Sequence, residues 1–396
     1  MTVADKADVV VVGGGIEGLA TAWALTSRSA GSVLVLERGS LASAGTGKSS
    51  GIVRCHYGVP SLAAMALRGT EVLEQAGDLL DAEVGFAQVG YVAAVGPENV
   101  EPFRASVAAQ QRLGVDTRLV SAEDVRGLWP GVQLDDFAAF AHEPRGGYGD
   151  AYSTAMAYAG QARRDGARIR PGTPVAEVVV TGGRVQGVRT ADGAFIGCST
   201  AVVAAGPWTP ALVREHGVDV PVTVHREPIL LVDPGRPLGA VPVLSDLVRL
   251  QYVRPEISGE LLLGNSDLAE LHPADPDSYR NAADDVHIEA AIAKFIHRFP
   301  ELDATLTSSY AGCYDVTPDF NPIISATPVD GLFVATGFSG HGFKISAAVG
   351  ELMADLVLYG ESRAPAVLES DFRLSRFAEG RLTVTAHPYA GAGQLR

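Results

Sequence analysis

The sequence predicts an α/β fold that opens with a nucleotide-binding βαβ unit and carries a second, antiparallel sheet. Three observations predict it. A valine-rich run, Asp8 to Val12, leads directly into Gly13-Gly14-Gly15-Ile16-Glu17-Gly18. A second apolar run, Val33 to Leu36, ends on the acid Glu37. Beyond Val84 the alternation of strand and helix breaks up, and Val222 to Val232 and Leu247 to Leu263 read as strands of a separate sheet. Continuous apolar runs of this kind mark strands covered on both faces.

The opening forty residues meet each requirement of a dinucleotide site. Gly13-x-Gly15-x-x-Gly18 follows a strand and starts a helix, whose apolar face is Ile16, Leu19, Ala20, Trp23 and Ala24. Gly13 makes the tight turn, Gly15 lets the backbone reach a pyrophosphate at the helix N-terminus, and Gly18 lets helix and strand pack closely. Glu37, about 20 positions on, suits ribose hydroxyls and repels a 2′-phosphate. No second module of this kind follows, so one dinucleotide is expected, FAD or NAD.

A small-residue loop, Ala44 to Gly51, precedes Ile52-Val53-Arg54-Cys55-His56-Tyr57. Arg54 follows two apolar residues, which suggests a partly buried guanidinium in need of an acceptor. A helical pattern runs from Ser61 to Asp81, a strand over Gly90–Val95 and a helix over Glu98–Leu113. Ser121 and Asp124 have the spacing of a capped helix start. Gly146-Gly147-Tyr148-Gly149-Asp150 is expected to open another helix, Tyr152–Arg164. Val175–Val180, Val185–Thr190 and Ala194–Gly197 form a meander with glycine turns. Thr200 to Trp208 is a buried strand ending in glycine, Ala283–Phe299 a helix and Ser308–Asp315 a strand.

Near the C-terminus the apolar run Gly331–Ala335 leads into Gly337-Phe338-Ser339-Gly340-His341-Gly342-Phe343-Lys344, and then into Ile345, Ala348, Val349, Leu352, Met353 and Leu356 at helical spacing. The glycines let backbone approach a flat ligand, and a helix N-terminus favours negative charge. The tail after Ser362 is expected to be partly loose beyond Thr385.

Composition narrows the function. The chain has 396 residues, a formal net charge of −15 and no basic block, which argues against nucleic acid and anionic membrane as partners. No apolar run is long enough to cross a bilayer. The start lacks the layout of a leader. Cys55, Cys198 and Cys313 fit neither a metal site nor a disulfide framework, so no metal and a cytoplasmic setting are expected.

Together these stretches resemble the FAD-dependent amine and amino-acid oxidases of the D-amino-acid oxidase superfamily, in particular monomeric sarcosine oxidase and the sarcosine oxidase beta subunit. The likeness runs from Asp8 to about Leu358 and is most specific at Gly13–Glu37, Ile52–Tyr57, Ala204–Trp208, Thr317–Ile324 and Gly337–Lys344. It implies a Rossmann-type FAD-binding domain interleaved with an α+β substrate domain on a mixed or antiparallel sheet. Residues 1–83, 146–220 and 319–365 fall to the first, 84–145 and 221–318 to the second, and 366–396 to a tail.

Carried over by position, Arg54 and Lys344 pair with a substrate carboxylate, His341 lies beside the flavin, and Tyr252 and Arg254 face the substrate. The resemblance assigns cofactor contacts to Gly13, Gly15, Ile16, Glu17, Gly18, Glu37, Arg38, Thr46, Lys48, Ser49, Ser50, Gly51, Ile52, Val175, Ala205, Gly206, Trp208, Gly312, Gly340, His341, Gly342, Phe343 and Lys344. Three positions depart from monomeric sarcosine oxidase. Gly312 stands where that enzyme has its flavin-linking cysteine, so noncovalent FAD is expected. Leu262 falls near its oxygen-activating lysine, so slow reaction with dioxygen is expected. Gly51 replaces an arginine.

The implied reaction is oxidation of a small amine or amino acid bearing a carboxylate, with electrons passed to dioxygen or an acceptor protein, in a monomer or small homo-oligomer. An NAD-dependent dehydrogenase leaves the Gly340-His341-Gly342 loop without a role. A flavin monooxygenase lacks its usual Gly-Asp motif here. An electron-transfer subunit without a substrate of its own leaves Arg54 and Lys344 unexplained.

Overall fold

The computed structural model describes residues 5–267 and 271–391; the first four residues, and with them the reading of the start, lie outside them. Val9–Val12 pairs in parallel with Val33–Leu36 on one side and Thr200–Val203 on the other. Leu332–Thr336 joins next to Thr200–Val203, also in parallel. Arg168–Arg170 and the antiparallel strand Ile323–Ala326 complete a six-stranded sheet.

The two-residue period of a strand decides what covers this sheet. Val9 and Val11 face a core shared with the helices Ile16–Ser27, Ala151–Arg164 and Gly342–Tyr359. Val10 and Val12 face the opposite core, built with Val178, Val185, Val188 and Ile196 of the meander. The meander strands are Val175–Thr181, Arg184–Thr190 and Phe195–Gly197, with Asp5–Lys6 added at the edge.

The second sheet has nine strands. Its longest ladder, at one edge, pairs Thr223–Asp233 with Thr305–Val316. Val92, Ala94, Leu244, Val253 and Leu263 face a core closed by the helix Asp285–Arg298. Tyr91, Ala93, Val95, Tyr252 and Leu262 face the other way, towards the ribbon residues Ile52 and Tyr148 and the helix Val100–Arg112. That face looks onto the nucleotide-binding half. No helix of the described residues is long and apolar enough to cross a membrane.

Four sequence expectations are corrected. The Ser61–Asp81 pattern is two helices, Pro60–Glu74 and Ala76–Leu80, separated at Gln75. Leu247–Leu263 is not continuous strand: Asp246 accepts the Val248 and Arg249 amides in a turn, and a hairpin of Gln251–Pro255 and Leu261–Asn265 follows. Its apolar residues fill a sheet face and hide the turn chemistry. The stretch Gly146–Asp150 contributes a short strand, Gly147–Tyr148, paired with Ile52–Val53. Finally, the tail beyond Thr385 is bound as far as Ala390, while residues 392–396 lie outside the described residues. Asn99 grips Ala390 with both halves of its amide, at 3.0 and 2.8 Å, and Tyr389 is 5% exposed. By contrast Ser121 and Asp124 make the reciprocal helix cap.

Helix Pro60–Glu74 crosses the start of helix Gly342–Tyr359 at Gly69, where a Cβ would lie 1.9 Å from the Lys344 carbonyl oxygen. Gly69→Ala is therefore expected to cost about 1–3 kcal/mol, the usual penalty of overpacking. Gly77→Ala, where a Cβ meets nothing within 4 Å, serves as the control; equal melting temperatures for the two variants contradict this packing.

Candidate functional site

The carboxyl ends of four adjacent parallel strands lie side by side in the order Leu36, Val12, Val203, Thr336. Outside the carboxyl ends of such strands an open α/β sheet leaves its ligand crevice. Here a cavity of about 650 Å³ crosses them, within the range of about 300–1,000 Å³ usual for small-molecule sites.

The glycine loop forms its floor. Gly13 has φ +116° and a Cβ there would sit 2.3 Å from the Ala204 carbonyl oxygen. At Gly18 a Cβ would sit 2.1 Å from the Gly13 carbonyl oxygen, so helix and loop can touch only without a side chain. Glu37 accepts the Gly14 and Gly39 amides, each at 2.7 Å, and lines the cavity beside them. At that end the Arg38 guanidinium lies 3.7 Å from the Trp208 ring, and Asp277 binds both at 2.9 and 3.0 Å. Thr46 accepts the Ile16 amide at 3.0 Å, and Lys48 donates to Asn281 at 3.1 Å.

Of the expected cofactor contacts, Gly13, Gly15, Ile16, Glu17, Glu37, Arg38, Thr46, Lys48, Ser49, Ser50, Val175, Ala205, Gly206, Trp208, Gly312, Gly340, Gly342 and Phe343 line the cavity. Gly18, Gly51, Ile52, His341 and Lys344 do not. Gly18 lies beneath the loop. Gly51 packs on the backbone of Gly149, with a Cβ position 2.1 Å from its carbonyl oxygen. The Ile52 side chain belongs to the core below the second sheet. A Cβ at Gly312 would stand 2.9 Å from Lys48 Cβ, so the loop carrying Lys48 packs there because no side chain intervenes.

Arg54, His341 and Lys344 come together beside Tyr57. The Arg54 guanidinium lies 4.2 Å from the Tyr57 ring centre and donates to the His56 carbonyl. The Tyr57 hydroxyl is 3.2 Å from His341 Nδ1. Arg54 and Lys344 are 7% and 6% exposed, and neither joins an ion pair among the described residues. Burial and the Arg54 charge push the Lys344 ammonium well below its usual range. Burial, then Lys344 and Arg54, push the His341 imidazole well below its usual range, so its ring is neutral. Glu143 feels the Arg54 charge, yet burial holds it up to about 7, and its Oε2 accepts the Cys55 amide at 2.7 Å.

Tyr252 and Arg254 share the sheet face above. Tyr252 lies across Gly264, where a Cβ would meet its ring at 2.0 Å. Arg254 is met by Glu256 at 2.7 Å and stacks 4.5 Å from the Tyr148 ring, so its charge is already paired. Sequence reasoning missed Asp277, Asn281, Glu227, Tyr314 and Asp315 in the cavity region. Only Tyr314 carried a local signal, its spacing to Thr317 and Asp319. The others reach the site from strands or loops hundreds of positions from the glycine loop.

With this geometry in place the comparisons with known proteins are direct. The family model described as FAD dependent oxidoreductase matches residues 8–356, and the chain belongs to that family. It is 30% identical over 382 residues to the sarcosine oxidase subunit beta of Rhodobacter capsulatus, covering 94% of this chain and 89% of that one. It is 26% identical to the mitochondrial dimethylglycine dehydrogenase of Rattus norvegicus, covering 90% of this chain and 43% of that one. In fold it is similar to L-proline dehydrogenase from P. horikoshii, with a TM-score of 0.87, 24% identity and coverage of 96% and 100%, and to glycine oxidase from Bacillus cereus, with a TM-score of 0.77, 22% identity and coverage of 94% and 99%. The chain is thus an FAD-dependent oxidoreductase, with the α/β fold of the amine- and amino-acid-oxidising flavoproteins.

The cavity fits FAD on its own terms. Its glycine floor accepts a pyrophosphate, Glu37 accepts hydroxyls, and Glu17 supplies an unmatched group. Glu17 is 8% exposed, lines the cavity and has neither carboxyl oxygen hydrogen-bonded. Burial first, then Asp315, raises it well above the carboxylate range. A group with a raised native pKa favours the fold below its unfolded pKa, and that contribution is lost as pH rises through the native pKa. Glu17→Gln is therefore expected to keep FAD and to gain melting temperature over the parent at about pH 8 but not at about pH 4. An equal offset at both pH values contradicts a neutral Glu17.

Proposed function

We propose that this protein oxidises the C–N bond of a small amine bearing a carboxylate, an N-methyl amino acid of the sarcosine kind, with noncovalent FAD. The observation that carries this is the burial of Arg54 and Lys344 together without a carboxylate partner among the described residues. Two buried cations are tolerated when an anion joins them. Arg54 offers a fork and Lys344 a point charge, and each charge-assisted bond is worth about 1.5–3 kcal/mol. The relatives named sarcosine oxidase and dimethylglycine dehydrogenase point to the same substrate class.

Bound FAD supplies the acceptor for a hydride leaving the substrate's α-carbon, and the imine so formed is hydrolysed by water. The chain's own residues orient the substrate. Fixing its carboxylate places the α-carbon, and orientation of this kind carries much of a barrier reduction. Neutral His341 and the Tyr57 hydroxyl, 3.2 Å apart, are the polar groups beside Arg54 and Lys344, and the reacting amine must be uncharged. The noncovalent reading is supported by Gly312 and by Cys313, whose thiol is pushed up to about 11 by burial and is therefore no ready nucleophile. The relative's designation as a subunit favours a second reading, in which a further chain accepts the electrons.

Arg54→Ala and Lys344→Met are each expected to weaken binding of acetate, followed through the flavin spectrum, by more than tenfold with FAD content unchanged. Because only the ammonium form of Lys344 attracts an anion, acetate affinity should fall as pH rises through its depressed pKa, and Lys344→Met should remove that fall. Normal acetate binding by both variants rejects an acidic substrate.

For the acceptor, Leu262 is fully buried and pairs across the ladder with Arg254, whose charge Glu256 already meets. Among the described residues no free cation stands there to steady charge developing on dioxygen. Stopped-flow reoxidation by dioxygen is expected to be slow and to accelerate in Leu262→Lys. A fast parent enzyme releasing stoichiometric hydrogen peroxide contradicts this.

A further inference from the structure

We propose that the C-terminal tail is part of the substrate site, with Tyr389 the positioning residue that holds Arg54 in place. This rests on Arg54 being the carboxylate clamp. The segment 54–58 has little regular structure of its own beyond the short ribbon before it, so its conformation must be imposed by neighbours. Glu143 accepts the Cys55 amide at 2.7 Å, and four more contacts hold the rest of the segment. The Arg54 guanidinium donates to the His56 carbonyl. Gln110 donates to the Tyr57 carbonyl at 3.2 Å. The other two come from the tail: the Ala386 amide donates to the Gly58 carbonyl at 3.2 Å, and the Tyr389 hydroxyl meets His56 Nε2 at 3.0 Å.

The Tyr389 contact is a built one. His56 is 1% exposed, and its ring is packed between Phe103 and Tyr389, with centroids 5.1 and 6.0 Å away. Phe103 and Tyr389 are themselves 6.0 Å apart. Asn99 then fixes the next residue, Ala390, through both its amide N–H and its carbonyl. The chain of contacts therefore runs from Asn99 to the Ala390 backbone next to Tyr389, from the Tyr389 hydroxyl to the His56 ring, and from the His56 carbonyl to Arg54. Loss of the first two links frees the His56 peptide, whose carbonyl is the one hydrogen-bond acceptor recorded for the Arg54 guanidinium among the described residues. The guanidinium then has to be ordered by the ligand at the moment of binding, and that ordering weakens affinity.

The test uses the full-length FAD-loaded protein with acetate and its uncharged analogue acetamide, each titrated through the flavin spectrum. Tyr389→Ala and Asn99→Ala are expected to weaken acetate at least fivefold and acetamide little, with FAD content and the flavin spectrum of the free enzyme unchanged. Tyr389→Phe keeps the ring packing and loses only the bond to His56; it should weaken acetate by roughly two- to tenfold, the span of one net hydrogen bond. With N-methylglycine as substrate, KM should rise more than kcat falls. A merely structural tail would instead lower melting temperature and leave the acetate-to-acetamide ratio at its parent value in all three variants, which would overturn the proposal. Arg54→Ala is the reference: if it binds acetate normally, the clamp reading itself fails; if it alone is weakened, the clamp stands and the role of the tail is refuted.

Discussion

Two positive charges buried side by side are the constraint from which the rest of the site follows. Arg54 and Lys344 come from opposite ends of the chain: burial and the Arg54 charge drive the Lys344 ammonium towards its neutral form, and burial, with both charges, keeps the His341 ring neutral. A protein interior accepts such an arrangement at a free-energy cost unless a counter-charge arrives. Glu143 feels the Arg54 charge, but burial holds its carboxyl up to about 7. Two buried cations beside an acid that burial keeps partly protonated are the mismatch on which the proposed carboxylate-bearing substrate rests.

The sheet geometry explains how these charges meet. Parallel pairing of Val9–Val12, Thr200–Val203 and Leu332–Thr336 brings their carboxyl ends into one row. The loops that leave that row, at Gly13, Ala204 and Gly337, therefore share one cavity. The helix Gly342–Tyr359 starts from the last of them and is pressed against helix Pro60–Glu74 at Gly69, which fixes the height of Lys344. Arg54 is delivered separately, by the short ribbon of Ile52–Val53 with Gly147–Tyr148 that bridges the two large sheets. The second sheet lowers Tyr252 and Leu262 towards the same region on one face while its other face is occupied by the Asp285–Arg298 helix. The cavity over the parallel sheet and the inner face of the second sheet are therefore joined through the ribbon at Ile52–Val53.

Glu17 shows that the cofactor half carries a tension of its own. A carboxyl in the first turn of a helix is normally favoured by the helix N-terminus. Here the cavity wall excludes water from it and Asp315 repels its ionised form. It is a buried polar group on the cavity wall with no hydrogen-bond partner among the described residues.

By itself the sequence determined what local chemistry determines. Gly13, Gly15 and Gly18 sit between a valine run and an apolar helix face, and no other residue types allow that turn and that contact, so the nucleotide-binding unit was readable. The Gly340–Lys344 loop, and the expectation that Arg54 and Lys344 serve one ligand, came from spacing and from resemblance in the same way. Tertiary structure decided what depends on partners distant in the chain. The Arg38–Asp277 and Lys48–Asn281 contacts span 239 and 233 positions and leave no local pattern. The break at Gln75 and the turn after Asp246 hide within apolar runs, because burial rather than turn propensity chose those residues. The polar tail reads as loose by composition, yet Asn99, Gly58 and His56 bind it through hydrogen bonds that no periodicity encodes. Composition reports whether a segment can bury apolar surface; only the fold supplies the acceptors and donors that hold a polar one.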